Sequence, residues 1–281
     1  MLSLRIATAS VLLLILTCAI WAGPMWFAGV MAIAFGVALY EWLRIGNLGP
    51  VPAALISVIE MVTQYSLYWA GALPKMDWFL FIVDGVVMLV WFLILFLELF
   101  HRENGFKVNV IQCLLSAVVF VPAAFLSFLW LNEQGTWVLV LSVMLIIWGA
   151  DICAYFCGRA WGKHRLCPAI SPKKTWEGVI GAYVIVIVFF LLCYWFCDQK
   201  VVFTNFIFER AGFGWGLLAL AVLIALSIAG DLFESMLKRL AGIKDSSNLL
   251  PGHGGFYDRM DSSMPVIPAA TWMMLAVLLL N

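Results

Sequence analysis

Charge is what this sequence has least of. Of its 281 residues, 16 are Lys or Arg, 16 are Asp or Glu and three are His, so 11% of the chain is charged and the formal net charge is zero. A soluble domain carries about 25% charged residues. The shortage excludes an ordinary water-soluble globule, and the zero balance leaves no bulk electrostatic footprint for nucleic acid. Low-complexity linkers and internal repeats are also missing, so neither a repeat array nor a tethered pair of domains is indicated. Seven cysteines are present without a disulfide framework. Cys18, Cys113 and Cys193 lie in apolar runs, where cysteine behaves as a small hydrophobe. Cys153, Cys157, His164 and Cys167 do not have the spacing of a structural zinc site.

What the chain has in excess is hydrocarbon. It is 65% hydrophobic, with a mean hydropathy of +1.04. A spanning helix needs about 20 mostly apolar residues. Nine windows reach that length: Leu4–Ala22, Met25–Leu43, Val51–Leu73, Trp78–Phe100, Val110–Leu131, Trp137–Phe156, Trp176–Phe196, Trp215–Met236 and Ser263–Leu280. The first resembles a signal peptide, but apolar segments follow at once, so it reads as an uncleaved span. The fold class is therefore all-α, a polytopic membrane protein of about nine transmembrane helices.

Cations set the orientation. With the N-terminus inside, the inner face holds Arg5, Arg44, Arg102, Lys107, Arg159, Lys163, Arg165, Lys173, Lys174, Lys238, Arg239, Lys244 and Arg259, and the outer face holds Lys75, Lys200 and Arg210. Thirteen against three predicts a cytoplasmic N-terminus. Residues 1–132 read as a helical scaffold, and residues 133–281 as the chemistry-bearing part, with cytoplasmic loops 157–175 and 237–262. Glu60, Asp84 and Glu98 in the first part read as interfacial or helix-packing carboxylates. No role attaches to Val201–Arg210.

The scarce charge is concentrated. Residues 235–261 gather four Lys or Arg, three Asp, a His and a Gly-rich turn. Charge beside a bilayer is costly, so such a cluster marks chemistry or transport. Asp231 and Glu234 are three apart and share a helix face, as do Asp231 and Ser235. A salt bridge from Glu234 to Lys238 is the alternative to a site role for Glu234. Asp258 and Asp261 repeat the three-residue spacing before the last span. Paired carboxylates of this kind hold Mg²⁺ while leaving positions for phosphate and water. Between the two acidic groups lie Lys244-Asp245 and Pro251-Gly252-His253-Gly254-Gly255, whose backbone amides can approach an anion. Ser171-Pro172-Lys173-Lys174-Thr175-Trp176-Glu177-Gly178 opens the seventh span. Two lysines at a helix N-terminus are unfavourable unless an anion binds there, though they also serve the topology signal. Asp151 is an ionisable group inside the sixth window, a site hypothesis by default.

The pattern S-x-x-K-R-x4-K-D-x4-L-P-G-H-G-G-x2-D-R-x-D, from Ser235 to Asp261, resembles the signature of the phosphatidate cytidylyltransferases, or CDP-diacylglycerol synthases. Ser235, Lys238, Arg239, Lys244, Asp245, Pro251, His253, Gly254, Gly255, Asp258, Arg259 and Asp261 carry it. W-G-A-D, S-P-K-K-T-W-E-G and G-D-L-x-E-S upstream are similar to the bacterial form, while Ser247-Asn248 departs from it. The resemblance implies transfer of CMP from CTP to phosphatidic acid, giving CDP-diacylglycerol and pyrophosphate in phospholipid biosynthesis. It implies catalytic work for Asp231, Lys244, Asp245, His253, Asp258 and Asp261, with Asp231, Asp258 and Asp261 as metal ligands. It implies substrate contacts from Asp151, Ser171, Lys173, Lys174, Ser235, Lys238, Arg239, Gly252, Gly254, Gly255 and Arg259. Mg²⁺ is the expected cofactor, joined by a second ion such as K⁺. The implied setting is a homodimer in the bacterial inner membrane, surrounded by membrane lipid, with its active site facing the cytoplasm and no nucleic-acid partner. A CTP-dependent polyprenol or lipid kinase and a transporter of an anionic solute are the competing readings. A CDP-alcohol phosphotransferase would need a D-G-x2-A-R motif, which the chain lacks.

Overall fold

The computed structural model describes residues 2–104, 108–134, 137–196, 202–252 and 254–280. Each apolar window becomes a helix: α1 (Leu2–Ala22), α2 (Pro24–Ile45), α3 (Pro50–Trp69), α4 (Asp77–Phe100), α5 (Val110–Gln134), α6 (Trp137–Trp161), α7 (Trp176–Phe196), α9 (Phe213–Leu240) and α11 (Ser263–Leu280). Two short helices are added, α8 (Phe203–Ala211) and α10 (Tyr257–Met260). The chain is an all-α polytopic membrane protein. Seven helical stretches among the described residues are long and apolar enough to cross a bilayer. α3 falls short in composition, because Ser57, Glu60, Thr63, Gln64 and Ser66 interrupt its hydrocarbon. In α1 the described apolar stretch is the shorter Ser10–Ala22.

Helix boundaries follow backbone chemistry. Gly23 alone separates α1 from α2, at a φ of 116° that other residues rarely adopt, and Pro24 then opens α2. α3 ends four residues before the predicted Leu73, because Gly71 turns at a φ of 62° into a short 3₁₀ segment. Val201–Arg210, given no role, is largely α8, which buries Phe203, Ile207 and Phe208. The predicted loop 157–175 contains a small antiparallel hairpin, β1 (Arg165–Cys167) and β2 (Ser171–Thr175).

The core is aromatic and lies where α2, α4, α5, α9 and α11 converge. Trp42, Trp91, Phe120, Phe233 and Tyr257 form one cluster, with the Trp42 and Tyr257 rings stacked at 4.5 Å. Ser127 Oγ donates to the buried Asp84 carboxylate at 2.9 Å, a pairing that hydrocarbon surroundings favour. Glycines let α6 and α7 approach closely. A Cβ on Gly178 would come within 2.7 Å of the Ala154 carbonyl and 3.3 Å of the Gly158 Cα.

One end of the bundle collects the loops. The C-terminal ends of α2, α4, α6 and α9 meet the hairpin and the start of α11 there. Ala169 N–H donates to the Arg102 carbonyl at 3.2 Å, docking the hairpin against the end of α4. Thr8 Oγ1 donates to the Pro251 carbonyl at 2.9 Å, so the start of α1 lies at the same end.

Candidate active site

α9 and α11 bring the acids together. Gly230 allows it: a Cβ there would lie 2.6 Å from the Asp261 carbonyl and 2.8 Å from the Ser262 Cα. Carboxylate oxygens of Asp231, Glu234 and Asp261 consequently lie within 4.8 Å of one another. Ser262 N–H donates to Asp261 Oδ1 at 2.6 Å, and Ser235 Oγ donates to Asp231 Oδ1 at 3.4 Å.

Two lysines serve this cluster from opposite sides. Lys174 Nζ, from β2, lies 2.6 Å from Asp231 Oδ2. Burial works against the Lys174 ammonium, yet Asp231, helped by Asp151 and Asp261, holds its pKa above the ordinary lysine value. Lys238 Nζ bridges Glu234 Oε1 at 2.5 Å and Asp258 Oδ1 at 2.9 Å. The helical salt bridge weighed for Glu234 is thus present, within the acidic cluster. When all four carboxylates are ionised, two ammonium groups leave two negative charges uncompensated. Hard oxygen donors within 4.8 Å of one another and a residual charge of two fit a divalent cation such as Mg²⁺.

Asp258 does more than face the acids. Its carboxylate accepts the Gly255 N–H at 2.8 Å and the Ser246 N–H at 3.0 Å, which closes the loop over residues 245–257. Gly252 and Gly254 turn that loop at φ values of 78° and 82°. Glu41 on α2 ties it from below. This buried carboxylate accepts from Ser246 Oγ at 2.9 Å, Ser247 Oγ at 2.5 Å and Tyr257 N–H at 2.8 Å. A Cβ on Gly255 would meet Glu41 Oε1 at 2.6 Å, so glycine is required by close approach. His253 lies outside the described residues.

Two cavities flank the cluster. One, of about 470 Å³, lies between α6, the hairpin, α7 and α9, and is lined by Asp151, Arg159, Arg165, Lys173, Lys174 and Asp231 among others. The second, of about 520 Å³, is lined by Lys244, Asp245, Asn248, Leu250, Pro251, Gly252, Gly254 and Arg259. Asp231 joins the acids to the first cavity. Arg259, in the helical turn that carries Asp258, faces the second. Ser171 holds the hairpin register opposite Cys167, and Arg239 is exposed at the end of α9, outside both linings.

Four groups escaped the sequence reading of the site. Glu41 gave no signal, because its partners lie more than 200 residues away. Glu98, read as a packing carboxylate, is fully buried with no hydrogen-bond partner on either oxygen among the described residues and lies within electrostatic reach of Lys174. Arg159 and Arg165 had counted only as topology charges, although the loop they share with Lys173 and Lys174 carried enough cations to suggest a site.

The chain is similar along its length to known proteins. The family model described as "Cytidylyltransferase family" matches residues 3–277. A phosphatidate cytidylyltransferase of Haemophilus influenzae is 32% identical over 95% of this chain and 96% of its own length. One of Bacillus subtilis is 29% identical over 94% of each chain. One of Pseudomonas aeruginosa is 44% identical over 48% of this chain and 47% of its own. With a match along nearly its whole length and an acidic, lysine-flanked site at one end of its helical bundle, this chain belongs to the cytidylyltransferase family and is a membrane-embedded nucleotidyltransferase.

Proposed function

We propose that the chain is a phosphatidate cytidylyltransferase, which joins CTP and phosphatidic acid to make CDP-diacylglycerol and pyrophosphate. The observation that carries this reading is the acidic cluster lying between two cationic cavities of different character. The first is largely apolar with cations at its mouth; the second is predominantly polar. A lipid phosphate and a nucleoside triphosphate are substrates of those two kinds.

In the reaction a non-bridging oxygen of the lipid phosphate attacks the α-phosphorus of CTP. A new P–O bond forms while the bond from Pα to the bridging oxygen breaks, and that oxygen leaves with pyrophosphate. The nucleophile is already anionic, so no serine or cysteine nucleophile and no general base are required. Catalysis then rests on alignment and charge neutralisation. Mg²⁺ held by Asp231, Asp258 and Asp261, with Glu234 beside them, would neutralise phosphate charge and align the two reactants. Lys174 and Lys238, paired with carboxylates in the chain alone, are placed to turn toward phosphate oxygens. Lys244 and Arg259 face the polar cavity and would hold the triphosphate, with the amides around Gly252 and Gly254 approaching it. Asp245, also on that cavity wall, would orient Lys244. Residues 133–281 carry these groups, and residues 1–132 brace them, chiefly through Glu41. The setting we infer is the bacterial inner membrane with the loop end in the cytoplasm, where CTP is found.

The test uses purified chain with phosphatidic acid, Mg²⁺ and CTP labelled separately at the α- or γ-phosphorus. Label should reach the organic phase from α-labelled CTP alone. Label from γ-labelled CTP alone would mean a lipid kinase and overturn the assignment. Solute flux in liposomes without CTP, with no lipid labelling, would instead mark a transporter.

A further inference from the structure

The cavity between α6 and the hairpin holds more positive charge than the reaction chemistry has used. α6 supplies Arg159 and β1 supplies Arg165, both exposed, and β2 adds Lys173. Arg159 Nη1 donates to Tyr155 Oη at 3.3 Å, which steadies it at the mouth. Neither arginine has a carboxylate partner among the described residues. Deeper in, Lys174 is already committed to Asp231. The cations at the mouth are therefore available to a ligand while the one at the base serves the acids.

The surroundings choose the ligand. Ala150, Ala154, Val179 and Ile228 make the inner walls apolar. Tyr155, exposed on α6, also lines the cavity, and α6 and α7 are both long and apolar enough to cross the bilayer, so this part of the rim faces hydrocarbon. A free nucleotide has no use for such a rim, and the polar cavity beyond Arg259 suits it better. An anionic head joined to acyl chains satisfies both features. A phosphomonoester carries about −1.5 to −2 charge and three terminal oxygens near neutral pH, whereas a phosphodiester carries one charge and two such oxygens. Two guanidinium forks can each grip a phosphate through paired hydrogen bonds, which a single point charge cannot do.

We propose that Arg159 and Arg165, assisted by Lys173, form a headgroup site that selects a lipid phosphomonoester over phosphodiester lipids. The proposal rests on the cytidylyl-transfer reading for its reaction, but the site is defined by binding and is tested separately. It also assigns direction: the lipid enters sideways from the bilayer into this cavity, and its phosphate stops beside Asp231.

The experiment uses the full chain in mixed micelles and compares Arg159→Gln, Arg165→Gln and the double variant with the unaltered protein. Two quantities are read: the KM for phosphatidic acid against that for CTP, and the lipid retained after purification from equal amounts of phosphatidic acid, phosphatidylglycerol and phosphatidylcholine. In the double variant the phosphatidic acid KM should rise about tenfold or more, the scale of losing a charge-assisted hydrogen bond, while the CTP KM holds within about twofold. The unaltered protein should retain phosphatidic acid preferentially, and the double variant should lose that preference. Arg159→Lys with Arg165→Lys keeps charge and loses the forks, so it should fall between the two and serves if the Gln pair does not fold. A rise in the CTP KM alone would give the cavity to the nucleotide and overturn the proposal, as would unchanged values for both substrates. Free phosphate or pyrophosphate displacing retained phosphatidic acid as well as a short-chain phosphatidic acid does would show an anion site without lipid selectivity, and would overturn it too. Lost retention in a protein that never transfers cytidylyl groups would uphold the site and reject the reaction; normal transfer with no retention preference would do the reverse.

Discussion

Asp231 on α9 and Asp261 in the turn between α10 and α11 converge within one ion's reach, whereas Asp258 divides its carboxylate between Lys238 and two loop amides. The three aspartates should therefore respond differently to removal of charge. Asp231→Asn and Asp261→Asn should each lower turnover by at least about 10²-fold, the scale of losing one charge-stabilising group, with the folded yield unchanged. Asp258→Asn should lower turnover and also loosen the loop, seen as faster proteolysis within residues 241–256. Turnover assays beside limited proteolysis separate the two outcomes; equal loop protection in all three variants would limit Asp258 to the acidic cluster. Glu41 offers a second case. It accepts three hydrogen bonds, and bonds to a charged group contribute about 1.5–3 kcal/mol each when taken singly. Glu41→Ala should raise the CTP KM about tenfold or more and expose the loop to protease, while Glu41→Gln, which keeps an acceptor, should do less. An unaltered CTP KM in Glu41→Ala would mean that the loop holds its shape without α2. Ser247, where the sequence departs from the family pattern, is one of the Glu41 donors, so the departure falls at a residue that fixes the loop.

Helix contact, more than loop shape, sets the distance between the acids. The Gly230 Cα faces the Asp261 carbonyl with no room for a methyl group. Gly230→Ala should force α9 and α11 apart, at about 1–3 kcal/mol for overpacking, and draw Asp231 away from Asp261. Activity should fall more than tenfold with only a modest loss of thermal stability. Gly214→Ala, on the same helix with open space around it, is the matched control and should be silent. Equal activity in both variants would show that the approach of α9 to α11 does not set the site. This scale also shows what the sequence could reveal. Runs of 20 apolar residues announce themselves as helices, because lipid leaves the backbone few other options. The charged signature from Ser235 to Asp261 was legible for the opposite reason, as charge concentrated where charge is scarce. The hairpin at Arg165–Thr175 was not legible, since two short strands with lysines and a proline carry no alternating pattern. Glu41 and Glu98 were hidden inside apolar helices, and only packing brings them to the loops and to Lys174. The use of Asp258 as a loop clasp was equally invisible, because spacing within a helix says nothing of amides that arrive from a turn.

For the whole molecule, sidedness links topology to chemistry. The start of α1 touches Pro251, so the N-terminus and the site loops share one end, and most of the cations lie in the segments gathered there. The 3₁₀ segment Leu73–Lys75 lies beyond the far end of α3, near Asp77, whose carboxylate accepts from Trp130 Nε1 at 2.8 Å. If the loop end faces the cytoplasm, Asn248 and Lys75, both exposed, lie on opposite sides of the membrane. Single cysteines placed there, Asn248→Cys and Lys75→Cys, test this in a chain whose seven native cysteines are replaced by serine or alanine. A maleimide that cannot cross the bilayer should label Asn248→Cys only in inverted vesicles and Lys75→Cys only in right-side-out ones. Labelling of both from one face would change the number of crossings between α3 and α9. The reverse pattern would put the polar cavity outside, away from CTP, and the charge asymmetry would then have failed as a guide to orientation. The expected pattern would set the nucleotide cavity in the cytosol and the lipid cavity at the level of the inner leaflet. Lipid and nucleotide would then meet at the acids without either substrate crossing the membrane.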